Sequence, residues 1–337
     1  MASLSHVLNK PGDPTIGLGC MNLCHAYGTP LSETQALDAL RNAFDMGYRH
    51  FDTATLYGAT LNERLVGQAL APYRSEIFLA SKCGMARDPE LERKVIDGRP
   101  EVLRRQCEQS LGRLKTDHID LYYLHRLDFK VPIEESVGEL GRLVEEGKIG
   151  GIGLSEVSAD TLRRAAAEHP IAALQSEYSL WTRNPEVATL AACRELGTAF
   201  VAFSPLGRGF LTGKLEDVSS LVEGDVRLGM PRFTEQNYPL NLARLQEALA
   251  LAEQVDCTPA QLALAWLRAQ GDDVLPIPGT RSVAHMRENL AASEIQLPAD
   301  VVARLDDMLC EVDGDRYSEA QLKEIDTEPM PAGRSRG

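Results

Sequence analysis

No apolar run in these 337 residues reaches the length of a membrane span, which argues against a helix buried in a bilayer. The opening segment MASLSHVLNKPGD has no basic region followed by an apolar core, so no signal peptide is expected. No low-complexity tract or linker divides the chain, and one domain over residues 1–337 is expected. Positive charge is scarce: 35 Lys and Arg stand against 49 Asp and Glu, a formal charge of -14. That balance argues against nucleic acid or an anionic membrane as partner for the whole surface, while leaving room for a local basic pocket. Cysteine is present seven times, at Cys20, Cys24, Cys83, Cys107, Cys193, Cys257 and Cys310. The odd count and scattered spacing read as reduced thiols and a cytoplasmic location. Cys20 and Cys24, with His25 adjacent, have no further ligands at usable spacing, so no metal is expected. GLGCMN lacks the third glycine of a dinucleotide fingerprint and reads as a first strand with a substrate-side loop.

What the chain does have is alternation. Eight short runs rich in β-formers are spaced along it: Ile16 to Gly19, His50 to Thr53, Ile77 to Ser81, Ile119 to His125, Gly151 to Leu154, Ala172 to Gln175, Ala199 to Phe203 and Val274 to Ile277. Between them lie helical patterns at Glu33 to Asp45, Pro100 to Leu114, Ile133 to Glu146, Ser158 to Glu168, Pro185 to Leu196 and Pro259 to Ala269. This predicts an α/β fold, a (β/α)8 TIM barrel with a core over about 16–290. A barrel of this kind takes roughly 250 residues, so one such domain fits. Outside the repeat lie a long loop, Pro205 to Pro239, an extra helix from Leu240 to Val255, and a helix from Asp300 to Leu309 with a tail, over about 298–337. A loop that long inside a domain is usually functional.

On a parallel barrel the strand ends share one rim. Strand two delivers Asp52, with Tyr57 in the loop after it, strand three Lys82 and strand four His125. A phenol, an ammonium, a carboxylate and an imidazole make a proton-transfer site. Singly, each has a plain structural alternative: a turn tyrosine, a strand cap, a solvated charge, a core histidine. The other strands end with Ser155, Gln175, Phe203, and Gly279 with Thr280, groups suited to holding a large polar ligand.

The motifs GLGCMNLCHAYG, FDTATLYG, LASKCG, IDLYYLHR, GGIGLSE, LQSEYSLW, FSPLGRGFLTGK and PIPGTRSVAHMREN occur in that order. Through them the chain resembles the aldo-keto reductases, and within them the bacterial, fungal and plant branch. The resemblance implies NADPH-dependent, reversible reduction of aldehydes or ketones, with NADH a weaker cofactor and a small carbonyl compound as partner. It implies Tyr57 as general acid, Lys82 as the ammonium that lowers its pKa from about 10 toward working pH, Asp52 as partner of Lys82, and His125 as a hydrogen bonder to the carbonyl oxygen. It places Ser155 and Gln175 on the nicotinamide carboxamide, Phe203 on the nicotinamide ring, Leu206, Gly207 and Arg208 along the pyrophosphate, and Ser204 among the cofactor-binding residues. Gly279, Thr280 and Arg281 would receive the 2'-phosphate at a helix start, with Glu288 and Asn289 on the adenine. Glu156 and His285 stand where many relatives carry asparagine and arginine. Met21, Leu23, Tyr27, Trp181 and the tail would line a mostly apolar substrate pocket. Two other readings remain open at this point: a cofactor-binding regulatory subunit with little catalysis, and a Schiff-base lyase using Lys82. The oligomeric state has no signature in the sequence.

Overall fold

The computed structural model describes residues 15–24, 26–88, 93–308 and 311–328. His25, Leu309, Cys310 and most of the two chain ends, on which some of the expectations above fall, lie outside them. Eight parallel strands form the central sheet: β1 Leu18–Gly19, β2 His50–Asp52, β3 Phe78–Cys83, β4 Leu121–Leu124, β5 Ile152–Ser155, β6 Ile171–Glu177, β7 Ala199–Phe203 and β8 Val274–Pro276. Each pairs with the next in sequence, and a bridge between Gly19 and Gly279 joins the first to the last, so the sheet closes. The eight expected strands are all present, with ends shifted by at most two residues.

Side chains alternate across a strand, and this puts the right groups inside. Phe78 and Ala80 in β3 and Leu121 and Tyr123 in β4 face the interior with Val201 of β7 and Ile277 just past β8. Leu79, Tyr122, Leu124 and Phe200 face the surrounding helices. The inward register of β3 continues to Lys82, and that of β4 to His125. The amide of His125 donates to the Cys83 carbonyl at 2.9 Å, which extends the pairing past the strand end. Gly153 marks how tightly the interior is filled: a Cβ there would lie 2.2 Å from Cδ1 of Tyr123. Gly153→Ala is therefore expected to destabilise the protein by about 1–3 kcal/mol through overpacking. An unchanged urea midpoint would show that the ring can move aside.

The helices follow their caps. Glu33–Met46 opens with a Ser32/Gln35 capping box and ends at Gly47, whose φ of 111° suits glycine. Pro259–Ala269 opens with a Thr258/Gln261 box. Two departures from expectation are informative. Pro185 to Leu196 is not one helix: a 3-10 turn, Asn184–Glu186, precedes a helix at Thr189–Leu196, and Ala188 between them is non-helical. A helix at Leu61–Leu70 went unexpected because its first turn buries Asn62 and Glu63 and no side chain caps it. Glu63 is held by Arg113 at 2.6 Å and accepts from Ser81 at 2.6 Å. A two-strand hairpin, Met85–Arg87 with Lys94–Ile96, rises from the rim after β3.

The long loop is built of short 3-10 turns before the extra helix Tyr238–Gln254. The last described segment, 311–328, follows the helix Ala299–Asp307 and returns to the rim. There Asp326 accepts from the Ser158 hydroxyl at 2.9 Å and the Asp326 amide donates to the Glu156 carbonyl at 3.2 Å.

Candidate active site

Asn62 ties down the loop that carries Tyr57. Its side chain accepts from the Thr53 hydroxyl at 2.7 Å and donates to the Cys20 carbonyl at 2.8 Å. One buried amide thus joins the first loop, the end of β2 and the helix after it, fixing the turn that carries Tyr57. Nothing in the sequence marks this role, because an asparagine inside a helix has no pattern of its own.

Lys82 is 1% exposed and Asp52 2%. The ammonium binds the Asp52 carboxylate and donates to the Thr53 carbonyl at 2.9 Å. It lies 5.2 Å from the ring centroid of Tyr57. The other Asp52 oxygen accepts from Gln175 Nε2 at 2.9 Å, so the amide expected at the cofactor also orients the carboxylate. The rings of Tyr57 and His125 meet edge to face, with centroids 5.8 Å apart.

Burial works against the Lys82 charge, but Asp52 and Tyr57 hold its pKa above the ordinary lysine value. Burial likewise raises the Tyr57 phenol, and the Lys82 charge opposes this without overcoming it. The expectation that Lys82 brings the phenol down toward working pH is corrected here. Its pull has the expected sign, but it is outweighed by desolvation, and the phenol keeps its proton. His125 is pushed well below the ordinary histidine range by burial, and further by Arg126 and Lys82. It is therefore a neutral imidazole.

These groups face a cleft of about 630 Å³. Asp52, Tyr57 and His125 line it, with Lys82 beneath them. Ser155, Gln175, Phe203, Ser204, Leu206, Arg208, Gly279, Thr280, Arg281, Glu288 and Asn289 line the same cleft, as do Met21 and Tyr27. Three expected residues do not. Gly207 is buried backbone at φ 55°. Leu23 is fully buried in the core. Trp181 is stacked on Phe210 at 3.9 Å between centroids, with the Arg232 guanidinium over its face. Both large apolar side chains belong to the core and not to a substrate wall.

The Arg208 guanidinium is engaged within the protein. It pairs with buried Glu177 at 2.8 Å and donates to the hydroxyls of Tyr27 at 3.0 Å and Tyr317 at 2.9 Å. Glu156, in left-handed backbone at φ 55°, is fully buried and paired with Arg316 at 2.7 Å. Arg316 and Tyr317 come from the returning segment, so Glu156 and Glu177 act as its sockets on the rim. The long loop crosses the cleft mouth: the Val226 amide donates to the Ala26 carbonyl at 2.9 Å, and the Gly28 amide to Asp225 at 3.2 Å. Lining residues given no role from the sequence include Arg126 and Lys214, which end two of the motifs, and Arg227, Tyr317, Gln321 and Ile325.

A proton-holding phenol and a neutral imidazole lie over a buried lysine–aspartate pair at the C-terminal rim of a closed parallel barrel, an arrangement with the chemical means to transfer a proton. Comparison with known proteins gives the family. The model of the aldo/keto reductase family matches residues 15–309, and the chain belongs to that family. It is 48% identical over 283 residues to the Glycine max protein Probable aldo-keto reductase 1, covering 84% of this chain and 81% of that one. It is 42% identical over 327 residues to Aldo-keto reductase yakc of Schizosaccharomyces pombe, whose name includes NADP(+), covering 94% and 96%. A solved aldo/keto reductase from Klebsiella pneumoniae, in complex with NADP and acetate, superposes with a TM-score of 0.68 at 29% identity, covering 90% and 95%. The family makes this chain an oxidoreductase acting on carbonyl and alcohol groups. Among the described residues no helix is long and apolar enough to cross a membrane.

Proposed function

We propose that this protein uses NADPH to reduce aldehydes or ketones to alcohols, reversibly, with Tyr57 as the general acid. One observation carries the reading: a protonated phenol and a neutral imidazole face a single cleft that runs on to the Gly279–Arg281 turn. The cleft fits a dinucleotide. Phe203 offers a partly exposed ring at its floor, and Ser155 and Ser204 offer hydroxyls beside it. At the far end, Arg281 and His285 line the cleft at the start of the helix Val283–Ala291, where free amides favour a phosphate, and Lys214 pairs with Glu288 in the same lining. The NADP(+) in the name of the fission-yeast relative and the NADP in the Klebsiella pneumoniae structure support the same cofactor.

Bound NADPH would supply the hydride. The chain supplies the rest. Tyr57 hands its proton to the carbonyl oxygen. Lys82 stabilises the phenolate left behind. Asp52 and Gln175 hold Lys82 in place, and neutral His125 hydrogen-bonds the oxygen. In the oxidative direction the same phenolate takes the proton back. The Lys82 charge, held by Asp52, also weighs against a Schiff-base lyase, which needs a neutral amine.

NADPH is expected to bind more tightly than NADH, with Arg281 carrying much of the difference. A charged hydrogen bond contributes roughly 1.5–3 kcal/mol, about ten- to a hundredfold in affinity. In the structure Arg281 donates to the Thr29 carbonyl, so it must exchange that contact for the 2'-phosphate. Arg281→Ala should weaken NADPH and spare NADH in a titration of cofactor fluorescence. Equal Kd values for the two cofactors in the unmutated protein would remove the 2'-phosphate from this turn.

A further inference from the structure

Arg126 follows His125 directly and lines the cleft, and neither the proposed proton transfer nor the proposed cofactor contacts use it. Its Nη1 donates back to the His125 carbonyl at 2.6 Å and to the Ser155 hydroxyl at 3.1 Å. These two bonds anchor the guanidinium at the tetrad end of the cleft. Its charge acts on Tyr57, on His125 and on Tyr317 of the returning segment, all of them at the cleft. At the tetrad side and middle of the cleft the other basic side chains have acidic partners, Lys94 with Glu324, Arg208 with Glu177 and Arg227 with Asp225, while Arg281 at the far end is left for the cofactor phosphate. Among the described residues no carboxylate pairs with Arg126. A fixed cation without a counter-ion, in a cleft of a chain with net charge -14, concentrates the local field on an incoming anion.

In the cofactor placement proposed for this cleft the 2'-phosphate would fall at the Gly279–Arg281 turn and the pyrophosphate along Leu206–Arg208, so no phosphate is assigned to this charge. We infer that Arg126 recognises a carboxylate on the substrate, and that the preferred substrates are carbonyl compounds carrying an anionic group a few bonds from the reacting carbon. This rests on the carbonyl-reductase reading above and adds the substrate class. The guanidinium has donors on Nη2 and Nε that no protein acceptor among the described residues takes, the arrangement needed for a paired contact to a carboxylate. Leu56 and Met85, also in the cleft lining, would meet the uncharged part of such a molecule.

The test compares 4-oxobutanoate with its methyl ester, a flexible pair that differs in one charge. Steady-state NADPH oxidation is measured with unmutated protein, Arg126→Met and Arg126→Lys, and the NADPH Kd is measured separately for each. The unmutated protein is expected to prefer the anion in kcat/KM by roughly ten- to a hundredfold, chiefly through KM. Arg126→Met should collapse that ratio at least tenfold, and Arg126→Lys should restore part of it. Turnover of both compounds without a preference for the anion overturns the inference and leaves the reductase reading standing. So does an equal loss for both in Arg126→Met together with weaker NADPH binding, which would assign Arg126 to the nicotinamide. No NADPH oxidation with these or any other carbonyl compound overturns both readings.

Discussion

Tyr57→Phe is expected to lower kcat for carbonyl reduction by about 10²–10⁴-fold, the usual contribution of a positioned general acid. The loss comes from one hydroxyl. Phenylalanine keeps the ring, its edge contact with His125 and its place over the Lys82 ammonium. Asn62 still holds the loop, through bonds that do not involve the Tyr57 side chain. The NADPH Kd should therefore stay within about twofold, and the urea midpoint should barely move. A mutant that keeps most of its kcat would take Tyr57 out of the acid role. A mutant that loses NADPH binding as well would mean that the phenol serves the cofactor.

Lys82→Met is expected to cut the rate comparably and to move the pH profile. Burial already raises the Tyr57 pKa, and the Lys82 charge is the largest influence opposing it. Removing that charge leaves Asp52 buried beside the phenol without its cation, and both changes push the phenol upward. Alcohol oxidation needs the phenolate, so its optimum should shift to higher pH. Reduction needs the phenol, so it should lose rate without gaining an acid requirement. His125 adds no titration of its own in this window, since its pKa already lies well below the ordinary histidine range. Breaking a buried pair costs roughly 3–5 kcal/mol, so Lys82→Met should also be less stable. The double change Lys82→Met with Asp52→Asn separates the effects: stability should return in part, while the rate and the high-pH optimum should not. An oxidation optimum in Lys82→Met equal to that of the unmutated protein would contradict the coupling.

The sequence showed those features that follow from local rules. Strand ends were legible because a side chain every second residue must face the core, and a polar group at the next inward position is then conspicuous. Lys82 continues Phe78 and Ala80 inward, and His125 continues Leu121 and Tyr123. Helices were legible where apolar side chains recur at helical spacing, as in Glu33 to Asp45, or where proline opens the first turn, as at Pro259; the Ser32 and Thr258 caps emerged with the structure. What escaped depends on partners far along the chain. Trp181 reads equally well as a pocket wall or as core, and only Phe210 and Arg232 place it inside. Arg316 and Tyr317 look like surface until Glu156, Glu177 and Arg208 receive them. The helix Leu61–Leu70 was hidden by the buried polar groups that make it useful. The net direction of the Tyr57 pKa was also out of reach, because it is a balance between the depth of burial and one nearby charge, and only coordinates give the first.

In the proposed reaction this cleft passes a hydride from NADPH to a carbonyl carbon while Tyr57 supplies the proton. The most direct measurement uses NADPH deuterated at C4 on the transferred face, unmutated protein and a carbonyl panel that includes 4-oxobutanoate and its methyl ester, with mass spectrometry of the alcohol. One deuterium is expected on the carbinol carbon for each NADPH oxidised, with loss of that product by about 10²-fold or more in Tyr57→Phe. Alcohol without deuterium, or full labelling at an undiminished rate in Tyr57→Phe, would contradict that reaction.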